Sequence, residues 1–185
     1  MPRYFAFLRA INISGRTVKM DALRAHFEAL GFQAVETFIA SGNVIFQTAV
    51  NDPKALVQSI ETHLLATLGH EVKTFLRTDA ELAAIARYKP FEESRIQTAG
   101  ALNVAFLSEP LQPEAKAALM GLRTDIDDFQ SRGREVYWLC ATRQSDSTFS
   151  NAVFEKRLKV RATFRSWNTV AKLAAKYAKT LRDQA

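Results

Sequence analysis

Two short stretches concentrate side chains able to hold an anion. Asn12 to Thr17 (Asn-Ile-Ser-Gly-Arg-Thr) supplies an amide, two hydroxyls, a glycine and a guanidinium, with Arg9 just before it and Lys19 just after. Ser41-Gly42-Asn43 supplies a second hydroxyl, glycine and amide in sequence. Backbone N–H groups of a glycine turn at a helix start, flanked by Arg, are the parts of a phosphate or carboxylate site. Arg9, Arg16 and, near the C-terminus, Arg165 would carry the charge. Asn12, Ser14, Gly15, Ser41, Gly42, Asn43 and Thr169 would orient the ligand, and Trp167 offers a stacking face. The loop is not a Walker A motif, which needs two glycines four residues apart before Lys and Ser or Thr. The plainer alternative is that Gly15 and Gly42 only supply the positive φ of tight turns.

Other chemistry is poorly represented, and no catalytic residue is identified. Cys140 closes the apolar run Tyr137-Trp138-Leu139 and reads as a small buried hydrophobe. His26, His63 and His70 are scattered singly, so no metal-ligand cluster is expected, and no cofactor is called for. Asp125, Asp127 and Asp128 have the hard oxygens Mg²⁺ prefers, but a run of acids at a hairpin edge is more often a solvated face.

These residues must be positioned by an alternation of strands and helices. Arg3 to Ile11 reads as a strand, Lys19 to Leu30 as a helix stopped by Gly31, and Phe32 to Ile39 and Asn43 to Thr48 as two strands joined at Ala40 to Gly42. Asp52 and Pro53 look like N-cap and N1 of a helix closed by Gly69, and Glu71 to Arg77 is a fourth strand. Thr78 and Glu81 form a capping box, and Lys89 to Gly100 is a polar connection without periodicity. The same order then recurs: strand Ala101 to Leu107, helix Pro113 to Leu122, strands Thr124 to Gln130 and Glu135 to Cys140, helix Asn151 to Leu158, and an extended piece Val160 to Phe164. The expected fold is therefore α+β, two tandem ferredoxin-like (βαββαβ) halves with antiparallel sheets plus a C-terminal helix. Its expected divisions are 1–77, a helix and connection at 78–100, 101–164, and a basic helix at 165–185. In this plan strands one and two run the same way, so the Asn12 to Thr17 loop and the Ser41 to Asn43 turn open at the same end. Both faces of strand one carry large apolar groups, and strand three lacks the basic-Gly-aromatic pattern of RNA-recognition domains. The open sheet faces are therefore expected to be covered by protein, from the same chain or a partner subunit.

The chain has 185 residues, 48% of them apolar, with 13 Phe and a formal charge of +6. That excludes disorder, and no apolar run nears the roughly 20 residues of a membrane span. One cysteine and no signal-peptide pattern point to the cytoplasm. Residues 155 to 185 hold nine basic and two acidic residues, +7, while residues 1 to 154 hold sixteen and seventeen, −1. The surplus belongs to the last stretch, where Lys172, Lys176, Lys179 and Arg182 lie largely off the apolar stripe of the final helix. They either solvate a docked helix or form a ridge that tracks phosphates.

Three stretches resemble the bacterial family catalogued as domain of unknown function 1697. Phe7-Leu8-Arg9-Ala10-Ile11-Asn12 is similar to its Leu-Arg-Gly-Ile-Asn. Ser41-Gly42-Asn43-Val44 is similar to its Ser-Gly-Asn-Val hairpin. Asn151 to Leu158, with Thr163-Phe164-Arg165-Ser166-Trp167-Asn168-Thr169-Val170-Ala171-Lys172-Leu173, resembles its Thr-x-Arg-Asn-Trp-x-Thr-Val-x-Lys-Leu. Ala10 replaces a usual Gly, Ser166 a usual Asn, and Ser147-Thr148 a frequent Ser-Lys. The resemblance implies a two-part α+β fold and no established activity.

Three readings stay open. The first is a protein binding an anionic, phosphate-bearing small molecule or nucleic acid at the residues named above. The second is an enzyme acting on a small phosphorylated or carboxylated metabolite, with Ser41 or Ser14 polarised by Arg. In the third, the motifs are purely structural. A homo-oligomer is compatible with each, and a membrane partner is not expected.

Overall fold

The computed structural model describes residues 1–39 and 42–182, with side chains through residue 177. Local signals start and stop its helices. Asp52 accepts the N–H groups of Lys54 and Ala55 ahead of α2 (Pro53–Leu68), and Gly69 ends that helix at φ 76°. Thr78 and Glu81 exchange bonds at the head of α3 (Asp79–Arg87): Thr78 N–H donates to the Glu81 carboxylate, and Glu81 N–H to the Thr78 hydroxyl. Ser150 accepts Val153 N–H ahead of α6 (Asn151–Leu158).

Around these lie β1 (Arg3–Arg9), α1 (Met20–Ala29), β2 (Gln33–Thr37), β3 (Asn43–Gln47), β4 (Lys73–Thr78) and α4 (Glu93–Thr98). β5 (Ala101–Phe106), α5 (Pro113–Met120), β6 (Asp127–Arg132), β7 (Glu135–Cys140), β8 (Thr163–Ser166) and α7 (Trp167–Arg182) follow. The two antiparallel sheets have the strand orders β2-β3-β1-β4 and β6-β7-β5-β8. This is the α+β fold expected, two ferredoxin-like halves and a C-terminal helix. By its contacts the chain forms two units, 1–85 with 173–185, and 86–172.

In the first unit Tyr4, Ala6 and Leu8 of β1 pack with Val44 and Phe46 beneath Leu23 and Phe27 of α1 and Leu56, Ile60 and Leu64 of α2. The alternate residues Phe5, Phe7, Ile45 and Phe75 point the other way and are buried too. Tyr177 of α7 meets Phe5 edge-on at 5.3 Å between ring centroids. The second unit packs Ala105, Val136, Trp138 and Cys140 against Leu119 of α5 and Phe154 and Leu158 of α6. On its opposite face Tyr88 and Trp167 flank Tyr137 at 5.0 and 6.3 Å. Each fully buried Leu, Ile, Val or Phe among them is worth roughly 1.5–3 kcal/mol of burial. Cys140 is fully buried, as a small hydrophobe should be.

Some boundaries differ from those expected. The connection read at Lys89 to Gly100 contains α4, whose six residues bury no side chain and so leave no apolar period. β1 stops at Arg9 because Ala10 turns into the left-handed region at φ 61°. β8 starts at Thr163 rather than Val160, because Ala162 N–H is taken by the Glu155 carboxylate at 3.0 Å. The lysines of α7 are not one free ridge. Lys176 pairs with Glu36 of β2, and this contact lowers the Glu36 carboxyl and raises the Lys176 amine. The side chains of Lys179 and Arg182 lie outside the described residues.

Candidate functional site

The first unit gathers most of the sequence candidates at one end of its sheet. After β1 the Ala10 carbonyl accepts a bond from His70 Nε2 at 3.0 Å, and Ile11 turns into the core. Asn12 Oδ1 accepts Val18 N–H at 2.8 Å, which ties the loop down where α1 begins. Between them Ile13 to Arg16 is a tight turn, with Arg16 N–H donating to Ile13 O at 2.8 Å. Gly15 has φ 75°, as the third residue of a type II turn requires. Ser14, Gly15, Arg16 and Thr17 are exposed. Arg16 donates weakly from Nη1 to Leu68 O, 3.4 Å away, and no carboxylate among the described residues pairs with it. Lys19 stands at the α1 N-cap, so no capping side chain covers the first N–H groups of that helix.

The hairpin between β2 and β3 reaches the same place. The Gly42 carbonyl accepts Leu8 N–H at 2.8 Å, and a Cβ on Gly42 would lie 3.0 Å from both Leu8 Cβ and Ile11 Cγ2. Asn43 is buried; its side-chain amide donates to Phe38 O at 2.9 Å while its main-chain carbonyl accepts Phe38 N–H at 3.0 Å. Ser41 lies outside the described residues. Arg9 is half-buried at the end of β1, opposite Lys73 in the sheet register. Asn12, Gly42 and Asn43 thus build the scaffold, and Ser14, Gly15 and Arg16 are what it presents to solvent.

This geometry fixes the sign of two substitutions. Ala10 holds a left-handed φ that costs an L-residue about 1 kcal/mol, so Ala10→Gly should raise stability by about 0.5–1 kcal/mol in urea unfolding. Gly42→Ala meets both a positive φ and two tight contacts. It should cost about 2–4 kcal/mol by the same measurement.

Arg165, Trp167 and Thr169 belong to the second unit. Arg165 donates from Nη1 to Thr163 Oγ1 at 2.7 Å and Phe164 O at 2.9 Å. Burial pushes its guanidinium down to about 10, which still leaves it charged at neutral pH. Thr169 N–H donates to Ser166 Oγ at 3.2 Å and the two hydroxyls meet at 2.9 Å, a cap on α7. Trp167 stands beside Tyr137.

Five features are not legible in the sequence. His70 reaches the Ala10 carbonyl. Arg77, only 1% exposed, donates to Leu76 O at 2.7 Å and occupies the same place in its sheet as Arg165 does in the other, opposite Phe5 and Val104 respectively. Asp127 is not on a solvated face: it is 2% exposed, and its carboxylate accepts from Trp138 Nε1, Thr124 Oγ1 and Ser147 Oγ. Asp128 binds Arg95 and Arg123 at 2.9 and 2.7 Å; burial raises its carboxyl, but these contacts bring it below the usual range. Finally, His26 and His63, expected singly, face one another, with Nδ1 of His26 3.3 Å from Nε2 of His63. Among the described residues no group of three or more His, Cys, Asp or Glu side chains is arranged to hold a metal.

The histidine pair carries a pH dependence. Burial, and then the facing His63, hold His26 below the ordinary imidazole value. The folded state therefore binds fewer protons than the unfolded chain near pH 6, and stability falls as the pH drops through that range. Urea unfolding at pH 7.5 and 5.5 should show the loss, and His26→Gln should flatten it.

A family model described as "Protein of unknown function (DUF1697)" matches residues 1–137. A conserved bacterial protein of known structure, SP0830 from Streptococcus pneumoniae, is 23% identical, matching 95% of this chain and 98% of its own with a TM-score of 0.72. That likeness is one of fold. No curated protein sequence matches the chain. Among the described residues no helix is long and apolar enough to cross a membrane.

Proposed function

The chain belongs to the DUF1697 family, whose description names no activity, and from that premise we propose that it binds a phosphate-bearing anion at the β1–α1 loop of its first unit. One observation carries the reading. The exposed Ser14-Gly15-Arg16 turn holds a guanidinium that no described carboxylate neutralises, on a loop pinned by Asn12, Ile11 and Gly42. Arg16 supplies the charge, with Lys19 three residues on at the uncapped start of α1. Ser14 and Gly15 offer a hydroxyl and turn N–H groups. The enzyme reading finds less support, since the imidazole beside the loop, His70, has Nε2 engaged by Ala10 O and its other ring nitrogen buried.

A structural reading of the motifs also has specific support. The Asn12–Val18, Asn43–Phe38 and Ser166–Thr169 bonds each close a turn or cap a helix. The two readings part at the Arg16 side chain, whose contact with Leu68 O is long, 3.4 Å.

Equilibrium binding of a nucleoside triphosphate and of a single-stranded oligonucleotide, each across a salt series, tests the proposal. Arg16→Ala should weaken binding about tenfold or more, the worth of one charge-assisted contact, without lowering the melting temperature. Binding of the oligonucleotide that falls steeply with salt would assign the ligand to nucleic acid. Parent affinity in Arg16→Ala would leave the motifs structural.

A further inference from the structure

His26 on α1 and His63 on α2 are 37 residues apart in the chain, yet their ring planes cross at 65° with centroids 5.3 Å apart and the nearest nitrogens at 3.3 Å. Two neutral imidazoles so placed share one hydrogen: one nitrogen carries N–H and the other offers a lone pair. Two nitrogens bound at about 2.0–2.1 Å to a single metal ion, at angles between a right angle and the tetrahedral angle, would stand about 2.8–3.4 Å apart. The pair already has that separation.

We infer that His26 and His63 form a two-nitrogen clamp for a borderline divalent transition metal such as Zn²⁺, Ni²⁺ or Cu²⁺, joining α1 to α2. On binding, the ring that now donates moves its hydrogen to its outer nitrogen, so that both facing nitrogens present lone pairs. Each gives a pair to the metal, which releases two of its waters. Neutral rings release no net proton; a protonated ring releases one. Imidazole suits these ions and is a poor ligand for Mg²⁺ or Ca²⁺. Ligation takes the neutral form of each imidazole. An open groove lined by Ala55, Ser59, Thr62 and Ala66 adjoins the pair on its His63 side.

The full chain, free of any affinity tag and stripped of metal, provides the test. At pH 7.5, millimolar NiCl₂ or ZnCl₂ should raise the melting temperature by a few degrees in a saturable way, and MgCl₂ should not. His26→Gln and His63→Gln should each abolish the rise while keeping the parent's circular dichroism. With one equivalent of Cu²⁺, the electron paramagnetic resonance spectrum should carry the coupling of two nitrogens, reduced to one in either variant. A rise that survives in either variant, no rise at all, or a one-nitrogen spectrum in the parent would overturn the inference.

Discussion

Gly100→Ala should cost more than about 4 kcal/mol of stability, at the far end of what single substitutions do. Gly100 stands just ahead of β5, with its N–H donating to Cys140 O at 2.9 Å, and a Cβ there would fall 1.8 Å from the Thr142 carbonyl oxygen and 2.3 Å from its carbon. A Cβ has no rotamer with which to escape, and the obstacle is backbone. The start of β5 must therefore part from the segment after β7, losing ladder bonds between two central strands. Gly15→Ala is the internal control: its Cβ would meet nothing within 4 Å, so only the strain of φ 75° remains, about 1 kcal/mol. Both tryptophans, Trp138 and Trp167, lie in the second unit, so intrinsic fluorescence during urea unfolding reads the affected part directly. A loss below about 1 kcal/mol for Gly100→Ala would mean that the approach of Thr142 is mistaken.

Asp127→Ala should cost about 3–5 kcal/mol, from an indole N–H left without its acceptor and the loss of two further hydrogen bonds to a carboxylate. Three elements converge on this carboxylate. Trp138 Nε1 donates to Oδ1 at 2.8 Å, and Thr124 Oγ1 and Ser147 Oγ donate to Oδ2 at 3.0 and 2.8 Å. Alanine leaves the indole N–H without an acceptor and frees both hydroxyls. Asn should cost less, about 1–2 kcal/mol, because it keeps an oxygen for Trp138 while its NH₂ faces two hydroxyls that can reorient. Urea unfolding followed by tryptophan fluorescence orders the three proteins. Because the carboxylate is engaged by the protein's own donors, MgCl₂ should leave the midpoint unchanged. A Mg²⁺-dependent midpoint, abolished in Asp127→Ala, would return the acidic run to the metal-binding reading.

What the sequence reveals is mostly local. Asp52 before Pro53, Gly69 after Leu68, and Thr78 with Glu81 are signals whose donors and acceptors lie within four residues, and the helices begin and end on them. The meeting of Gly42 with Leu8 and Ile11 follows from topology alone, because strand direction decides which loops share an end. Less legible is whatever depends on distant partners. Asp127 reads as one acid among several until Trp138 and Ser147, 11 and 20 residues away, fold onto it. His26 and His63 read as isolated because nothing in either helix announces the facing ring. Arg165 carries a charge that looks available from its composition, but its strand holds it half-buried, bonded to Thr163 and Phe164. Surplus charge in a sequence thus overstates what a ligand can reach. In the first unit the proposed site draws on Arg16 and Lys19 around one pinned turn.

The most direct measurement is a ¹⁵N–¹H titration of the full chain with inorganic phosphate. The proposal predicts saturable shifts confined to the amides of residues 13 to 20, centred on Ser14, Gly15 and Arg16, and their loss in Arg16→Ala. Phosphate that moves no amide in that loop, or moves the same amides in Arg16→Ala as in the parent, would contradict it.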